Sequence, residues 1–468
     1  MNNTLRLHSK IIAKDNYITL VLLHIIIGIG LFLFGPIAKL YFVVLVVYFS
    51  SRILLAQSQD KTKEVLLACA YFAGAEVLFR MTKGNLAYEA SKYLVIVFMM
   101  MGIFFKGING KGYPYFLYLI LLVPAIIVAS VTLSYHANFR TNIAFVLSGP
   151  VCLGIAALFC YDRKVTQQQL LDVIMYIALP SIAMTSYLFL YNPSIKDTLS
   201  GTASNLEASG GFGPNQVSTA LGLGIFAIVV RIFIKSPSMG LKLLNFTILG
   251  AMTFRAIVTF SRGGVFAAII IVAAFLWTIF YRSSSKQRNQ IIGLFVLFSI
   301  SITITWTISS NQTRGLIDKR YANQDSQGRE KSDLSTGRVD LFAEEIAGFL
   351  SNPFLGIGAS RVKDVRVEEG IGNLPSHNEI GRLLSEHGFF GIIILTILII
   401  KPLSYRSSNK KNFYFYAFYC FWFATINHSG MRIAAPSLIY ALALLNVTDK
   451  RSIVKNLRPK KKIHVENP

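Results

Sequence analysis

Fourteen apolar runs, mostly about 15 to 20 residues long, occupy most of this chain and leave it few ways to fold. They are Tyr17–Phe34, Pro36–Ser50, Val65–Phe79, Tyr93–Phe105, Tyr115–Leu133, Ile143–Tyr161, Leu171–Tyr191, Val217–Ile234, Leu243–Phe260, Val265–Tyr281, Ile291–Ile308, Phe390–Ile400, Phe413–Ala424 and Ala435–Leu445. In hydrocarbon no water is available to backbone amides and carbonyls, so each run has to satisfy its own hydrogen bonds, which a helix does. The expectation is an all-α, polytopic helical membrane protein with 12–14 transmembrane helices, the shortest runs being merged or re-entrant. The first run has no small-x-small cleavage site and leads directly into the second, so it is expected to stay as an anchor.

A net charge of +23 would suggest a nucleic-acid partner in a water-soluble protein, but here the placement of the charge decides. Arg6, Lys10 and Lys14 precede the first run; Arg52, Lys61 and Lys63, then Lys106 and Lys111, then Arg163 and Lys164 fill every second loop. Arg231 and Lys235, then Arg282, Lys286 and Arg288, then Lys401, Arg406, Lys410 and Lys411, and the tail from Lys450 to Lys462 continue the series. Short cytoplasmic loops collect Lys and Arg, so both termini are expected in the cytoplasm and no nucleic acid is expected as a partner. The implied units are residues 1–308, transmembrane helices with short loops; 309–388, an outer-face loop; 389–446, the last transmembrane helices; and 447–468, a basic tail. That outer loop holds ten Lys/Arg against twelve Asp/Glu. Cys69, Cys152, Cys160 and Cys420 fall in apolar runs without paired metal spacing, so no disulfide framework, metal ligand or cofactor is expected.

Within the loop, Ser335 to Gly391 is dense in Arg, Glu, Asp, His and Asn. A first helix is expected after Ser335 or Thr336 as N-cap, carrying Val339, Phe342, Ile346, Phe349 and Leu350 on one stripe along a surface, until Asn352-Pro353 stops it. Ser376-His377-Asn378-Glu379 reads as a capping box opening a second helix that Gly388 ends. That puts His377 in the first turn, where the positive end of the helix dipole would keep its imidazole neutral and able to accept a proton.

Three further features belong to the same face: the turn GGFGPNQ with Asn215; FSRGG, where Arg262 is followed by two glycines that would let backbone approach a ligand; and Asn427-His428 with Arg432. Arg262 and Arg338 are candidates for gripping a diphosphate, because a guanidinium stays charged and donates two parallel hydrogen bonds; the ordinary alternative is an arginine snorkelling to head groups. His377 is the preferred base. Glu379, Glu386 and Asp340 are alternatives, although Glu386 would lie about 180° round an ideal helix from His377 and Glu379 is explained by the capping box. Glu76 and Arg255 sit inside apolar runs, where a charge either pairs in the bundle, each other being one candidate partner here, or serves a ligand. Arg255 therefore joins Asn215 and Asn378 as a further substrate-binding candidate. Gly356–Ser360, GIGAS, looks loosely like a nucleotide-binding glycine turn, but no strand precedes it.

Taken in order, these parts resemble the bacterial O-antigen ligase and O-antigen polymerase superfamily of integral membrane glycan transferases. The likeness lies in FGPNQ, then Ser261-Arg262-Gly263, then a large loop that opens with Gly337-Arg338, passes through Asn352-Pro353-Phe354-Leu355-Gly356-Ile357-Gly358, and closes with His377-Asn378 and Leu384-Ser385-Glu386-His387-Gly388. The resemblance implies metal-independent transfer of a glycan from undecaprenyl diphosphate to an acceptor hydroxyl on the periplasmic side of the inner membrane. By position, Arg262 and Arg338 match the family's diphosphate-contacting arginines and His377 its essential loop histidine. The residues supply compatible chemistry: fixed guanidiniums stabilise charge developing on the leaving diphosphate, a neutral imidazole deprotonates the acceptor, and direct displacement inverts the anomeric carbon. The leading expectation is a ligase acting on a lipid A core or similar glycolipid or glycan acceptor. A polymerase extending lipid-linked repeats is the nearest alternative, and the family also includes enzymes that load protein serine or threonine. A transporter or flippase of lipid-linked sugars is the alternative from another class. Such proteins usually show internal repeats with ionisable residues near mid-membrane, whereas here no repeat is found and polar residues gather in one loop.

Overall fold

A computed structural model describes residues 16–199, 201–333, 335, 337–370, 372, 374, 376–428 and 430–448 of the chain. Arg6, Lys10 and Lys14, the tail from Lys450 to Lys462, and the proposed cap Thr336 lie outside the described residues.

Helices stand at all fourteen apolar runs. α1 (Tyr17–Leu33), α2 (Ile37–Leu55), α3 (Lys61–Met81) and α4 (Ala90–Lys106) are followed by α5 (Tyr113–Leu121) and α6 (Val123–Thr132), which share the fifth run. Pro124, with no N–H to donate, opens α6 at its second position. Then come α7 (Phe139–Cys160), α8 (Gln167–Tyr191), the short α9 (Ile195–Thr198), α10 (Pro214–Ile234), α11 (Met239–Ile257), α12 (Arg262–Arg282) and α13 (Ser285–Gln312). α14 (Leu316–Tyr321), α15 (Arg338–Ser351), α16 (Arg361–Glu368) and α17 (Glu379–His387) separate α13 from α18 (Phe389–Ser408), and α19 (Phe415–Ile426) and α20 (Ala434–Ala443) complete the bundle. Among the described residues eight segments are long and apolar enough to cross a membrane, so the chain is a multi-pass membrane protein of all-α fold; the other six of the fourteen places are shorter or more polar.

α3, buried from Glu64 to Met81, and α10, buried from Val217 to Ile232, form the centre. α13 is the opposite case: only Thr305 and Ser309 are buried, while Phe295, Val296, Ile300 and Ile304 are exposed, a surface suited to acyl chains rather than water. One small departure from all-helix structure is a parallel pair, β1 (Lys164–Thr166) and β2 (Asn446–Thr448), with Val165 opposite Val447. It ties the start of α8 to the end of the described chain.

The helix starts in the polar segment differ from expectation. α15 begins after Gly337, whose φ of 75° suits glycine; Ser335, the expected cap, stands two residues before it and its Oγ accepts from the Val339 amide (3.4 Å), while the Asp333 carboxylate accepts from the Gly337 and Ser335 amides. α17 is capped by Asn378, whose Oδ1 accepts from the amides of Ile380 (2.8 Å) and Gly381 (3.3 Å). Ser376 bonds to Asn378 instead, and Glu379 pairs with Arg382, so the capping box does not form and His377 precedes the helix rather than sitting in its first turn. Gly388 ends α17 at φ 57°.

A cluster of arginines and histidines at one end of the bundle

The candidate site lies at the end of the bundle where α3 finishes and α10, α12, α18 and α20 begin. Ser261, at the N-cap position of α12, donates to Asn215 Oδ1 at 2.7 Å, joining the FGPNQ turn to the start of α12. The preceding Phe260 has φ 59°, a left-handed conformation that costs a bulky residue about 1–2 kcal/mol, and its carbonyl accepts from Arg320 Nε at 3.1 Å. A Cβ at Gly263 would run into the His428 ring and one at Gly264 into Ser218. The two glycines therefore let α12 close onto α10 and the α19–α20 connection; the close approach is to protein rather than to a ligand.

Around Arg262 the positive charges face one another. Arg338 opens α15, and its proton affinity is lowered first by burial and then by Arg262. Arg320, from α14, is lowered by burial and then by both Arg262 and Arg338. Arg432 is pushed down to about 10, chiefly by burial, with Arg338 acting in the same direction against Tyr88 and Glu379. Its Nη2 donates to the Ser376 carbonyl at 2.6 Å, which fixes the residue before His377.

Two neutral imidazoles complete the cluster. Burial pushes His377 down to about 3, and Arg432, Arg338, His428 and Arg366 add to the effect. The expected neutral state thus arises from dehydration and arginine charge, not from a helix terminus. His377 Nδ1 is buried and has no hydrogen-bond partner among the described residues. His428, between Thr219 Oγ1 (3.3 Å) and the Thr425 carbonyl (3.2 Å), is pushed down to about 4 by burial first and then by Arg338.

The helices on either side of His377 are tied to one another. Arg366 of α16 donates to Glu344 (2.9 Å) and to the Leu341 carbonyl (3.1 Å) of α15. GIGAS packs on the end of α17: Ile357 N donates to the Ser385 carbonyl (2.9 Å), and a Cβ on Gly356, at φ 76°, would overlap the Glu386 backbone. Those glycines serve packing. Glu379 and Glu386, the alternative bases, are both held by Arg382, the latter at 2.7 Å, and burial raises Glu386 to about 7.

Residues 246–396 match the O-antigen ligase family. The O-antigen ligase match runs from within α11 to within α18 and takes in Arg255, Arg262, Arg320, Arg338, His377 and Asn378; Asn215, His428 and Arg432 come from outside it. No curated protein matches the chain in a sequence comparison. The match covers about a third of a chain whose other long apolar helices make it a multi-pass membrane protein.

Not every sequence candidate reaches the cluster. Asn378 uses its Oδ1 as a helix cap. Arg255, buried in α11, donates to the Asn192 carbonyl (3.0 Å) and stacks on Phe189, and its Nε has no partner among the described residues. It does not pair with Glu76, which instead binds Arg80 one turn along α3. Arg320 was missed: it sits in a charged string, DKRY, with nothing to separate it from a solvated helix end.

Proposed function

We propose that this protein joins a glycan carried on undecaprenyl diphosphate to an acceptor hydroxyl, of lipid A core or a similar glycolipid, at the periplasmic face of the bacterial inner membrane. The observation that carries this reading is the meeting of Arg262, Arg320, Arg338 and Arg432 with the neutral imidazole of His377, all but Arg432 from residues within the O-antigen ligase match. Half-buried cations that face one another favour a multiply charged anion between them, and a diphosphate has the charge and the acceptor oxygens for several guanidinium forks.

In the proposed reaction the acceptor oxygen forms a bond to the anomeric carbon from the side opposite the diphosphate. The carbon–oxygen bond to the carrier breaks, and its electron pair stays on the diphosphate, where the arginines stabilise it. The hydroxyl proton passes to His377, and the anomeric configuration inverts. Arginine supplies the charge that a divalent cation would otherwise supply.

The test is transfer by purified protein from a synthetic undecaprenyl diphosphate glycan to a lipid A core acceptor, with and without chelator. The expected result is product insensitive to chelator and a loss of about 10²–10⁴-fold in His377→Ala. In cells, the same variant should leave long polymer on the lipid carrier; single repeats still reaching the acceptor would identify a polymerase instead. Unchanged glycan profiles at normal protein levels would remove His377 from the mechanism. Loss of movement across the bilayer with transfer from preflipped donor intact would make the protein a transporter.

A further inference from the structure

At the other end of the bundle, 20 residues of α18 and about 30 Å from the first turn of that helix, lies a cavity of about 600 Å³. Its lining includes Lys111, Lys410 and Lys411, the hydroxyl-bearing Ser404 and Ser408, and one carboxylate, Asp162. That carboxylate is already occupied: it accepts from Asn109 Nδ2 (3.1 Å), the Tyr405 hydroxyl (3.1 Å) and Asn446 Nδ2 (2.8 Å). Among the described residues none of the three lysine ammoniums is paired with a carboxylate. The lining therefore carries two positive charges in excess, against which the C-terminal end of α18 sets only about half a negative charge. A volume of this size is in the range of pockets that hold small molecules and head groups.

The surface beside the cavity is apolar. Ile400 lies one helical turn before Ser404 on the same face of α18, and it and Leu403 are 57 % and 43 % exposed. Lys401 stacks on Tyr161, which also lines the cavity. A ligand that fits has a phosphate at the lysines and hydrocarbon running along α18.

We propose that this cavity is a phosphate-binding site for the head group of an anionic phospholipid, seated with an acyl chain against Ile400 and Leu403. Basic pockets between helix ends are the usual way a membrane protein selects such lipids, and each lysine near an anionic surface contributes roughly a fivefold preference. The site is separate from the arginine cluster and does not rest on the transfer reaction proposed above.

The test uses full-length protein in a neutral detergent, titrated with phosphatidylglycerol, with phosphatidylethanolamine and with inorganic phosphate while thermal unfolding is followed. Phosphatidylglycerol should stabilise the protein at low concentration and the other two should not. The Lys111→Gln, Lys410→Gln, Lys411→Gln triple variant should need about 100-fold more lipid for the same shift. A charge-matched triple variant in the tail, Lys460→Gln, Lys461→Gln, Lys462→Gln, should behave as the parent does. Equal weakening in both variants would assign the effect to net charge alone, stabilisation by inorganic phosphate would make the ligand a soluble one, and an unchanged titration in the pocket variant would remove the site; each overturns the assignment.

Discussion

Two sets of charged side chains meet at the same end of this bundle, and they are built on opposite plans. In the first, Arg80 pairs with Glu76 and, at 3.2 Å, with Glu89, and Lys92 pairs with Glu89; all four side chains are nearly sealed from solvent. Signs alternate, so the set is electrically closed. In the second, Arg338, Arg320 and Arg432 each have their own hold on a proton lowered, after burial, by a neighbouring arginine. Burial of like charge is unfavourable by itself and becomes favourable only when an anion enters. The comparison teaches how to separate scaffold from candidate site when both are charged: alternating signs, buried, mark the scaffold, and repeated signs, half-buried, mark the candidate site. The two are also joined. Arg80 Nη1 donates to Gln216 Oε1 (3.1 Å) and to the Arg432 carbonyl (3.2 Å), and Arg432 in turn holds the Ser376 carbonyl.

The difference is sharpest when one charge is removed from each set. Glu76→Ala should give the largest effect. It leaves Arg80 and Lys92 sharing Glu89 inside the bundle and frees the Ala434 amide that Glu76 accepts from, at a cost of about 3–5 kcal/mol. Lower yield and a lower unfolding temperature in detergent are the expected readouts; a normal unfolding temperature would show that charge balance is not what holds these helices. Arg338→Ala should do the reverse. Removing a cation from among cations leaves the unfolding temperature unchanged or raises it, while glycan transfer falls by about 10²–10³-fold. Unfolding of the Arg338→Ala protein would mean that the second set is scaffold as well.

The bundle was legible because hydrocarbon admits one solution for an apolar run, and helices stand at every run. Partners within it were harder. Glu76 was considered with Arg255, yet its partner Arg80 is four residues on in the same helix, a spacing the stretch AEVLFR displays. The start of α17 was misjudged because Ser and Asn are equally good caps, and only packing decides between Ser376 and Asn378. That shift of two residues moved His377 off the helix, while burial and arginine charge, neither visible locally, still keep it neutral. Arg320 reaches the cluster from α14 and Arg432 from the α19–α20 connection, a juxtaposition no local pattern encodes. Asp162, Tyr405 and Asn446 meet through a three-residue strand pair too short to announce itself.

The smallest effect is in the pH dependence, and it asks whether the like-charged set acts on the imidazole. His377 has its proton affinity lowered by burial first and then by Arg432 and Arg338, among others. The unfolded chain binds a proton near pH 6.5 that the folded chain refuses until about pH 3, so the stability contributed by neutral His377 is complete above 6.5 and is lost progressively as pH falls towards 3. His428, held at about 4, adds to the loss in the same direction. A bound diphosphate cancels the arginine part of the shift and leaves the burial part, so His377 in the donor complex should titrate higher than in the free enzyme. The rate at saturating donor, kcat, should then begin to fall at a higher pH than kcat/KM, by roughly one pH unit, because the first reports the complex and the second the free protein. In Arg338→Lys, where the charge stays but the planar fork is lost, the gap should persist at a reduced rate. Coincident acid limbs in the parent protein would uncouple the imidazole from the arginines, and the second set would then be two neighbouring sites instead of one.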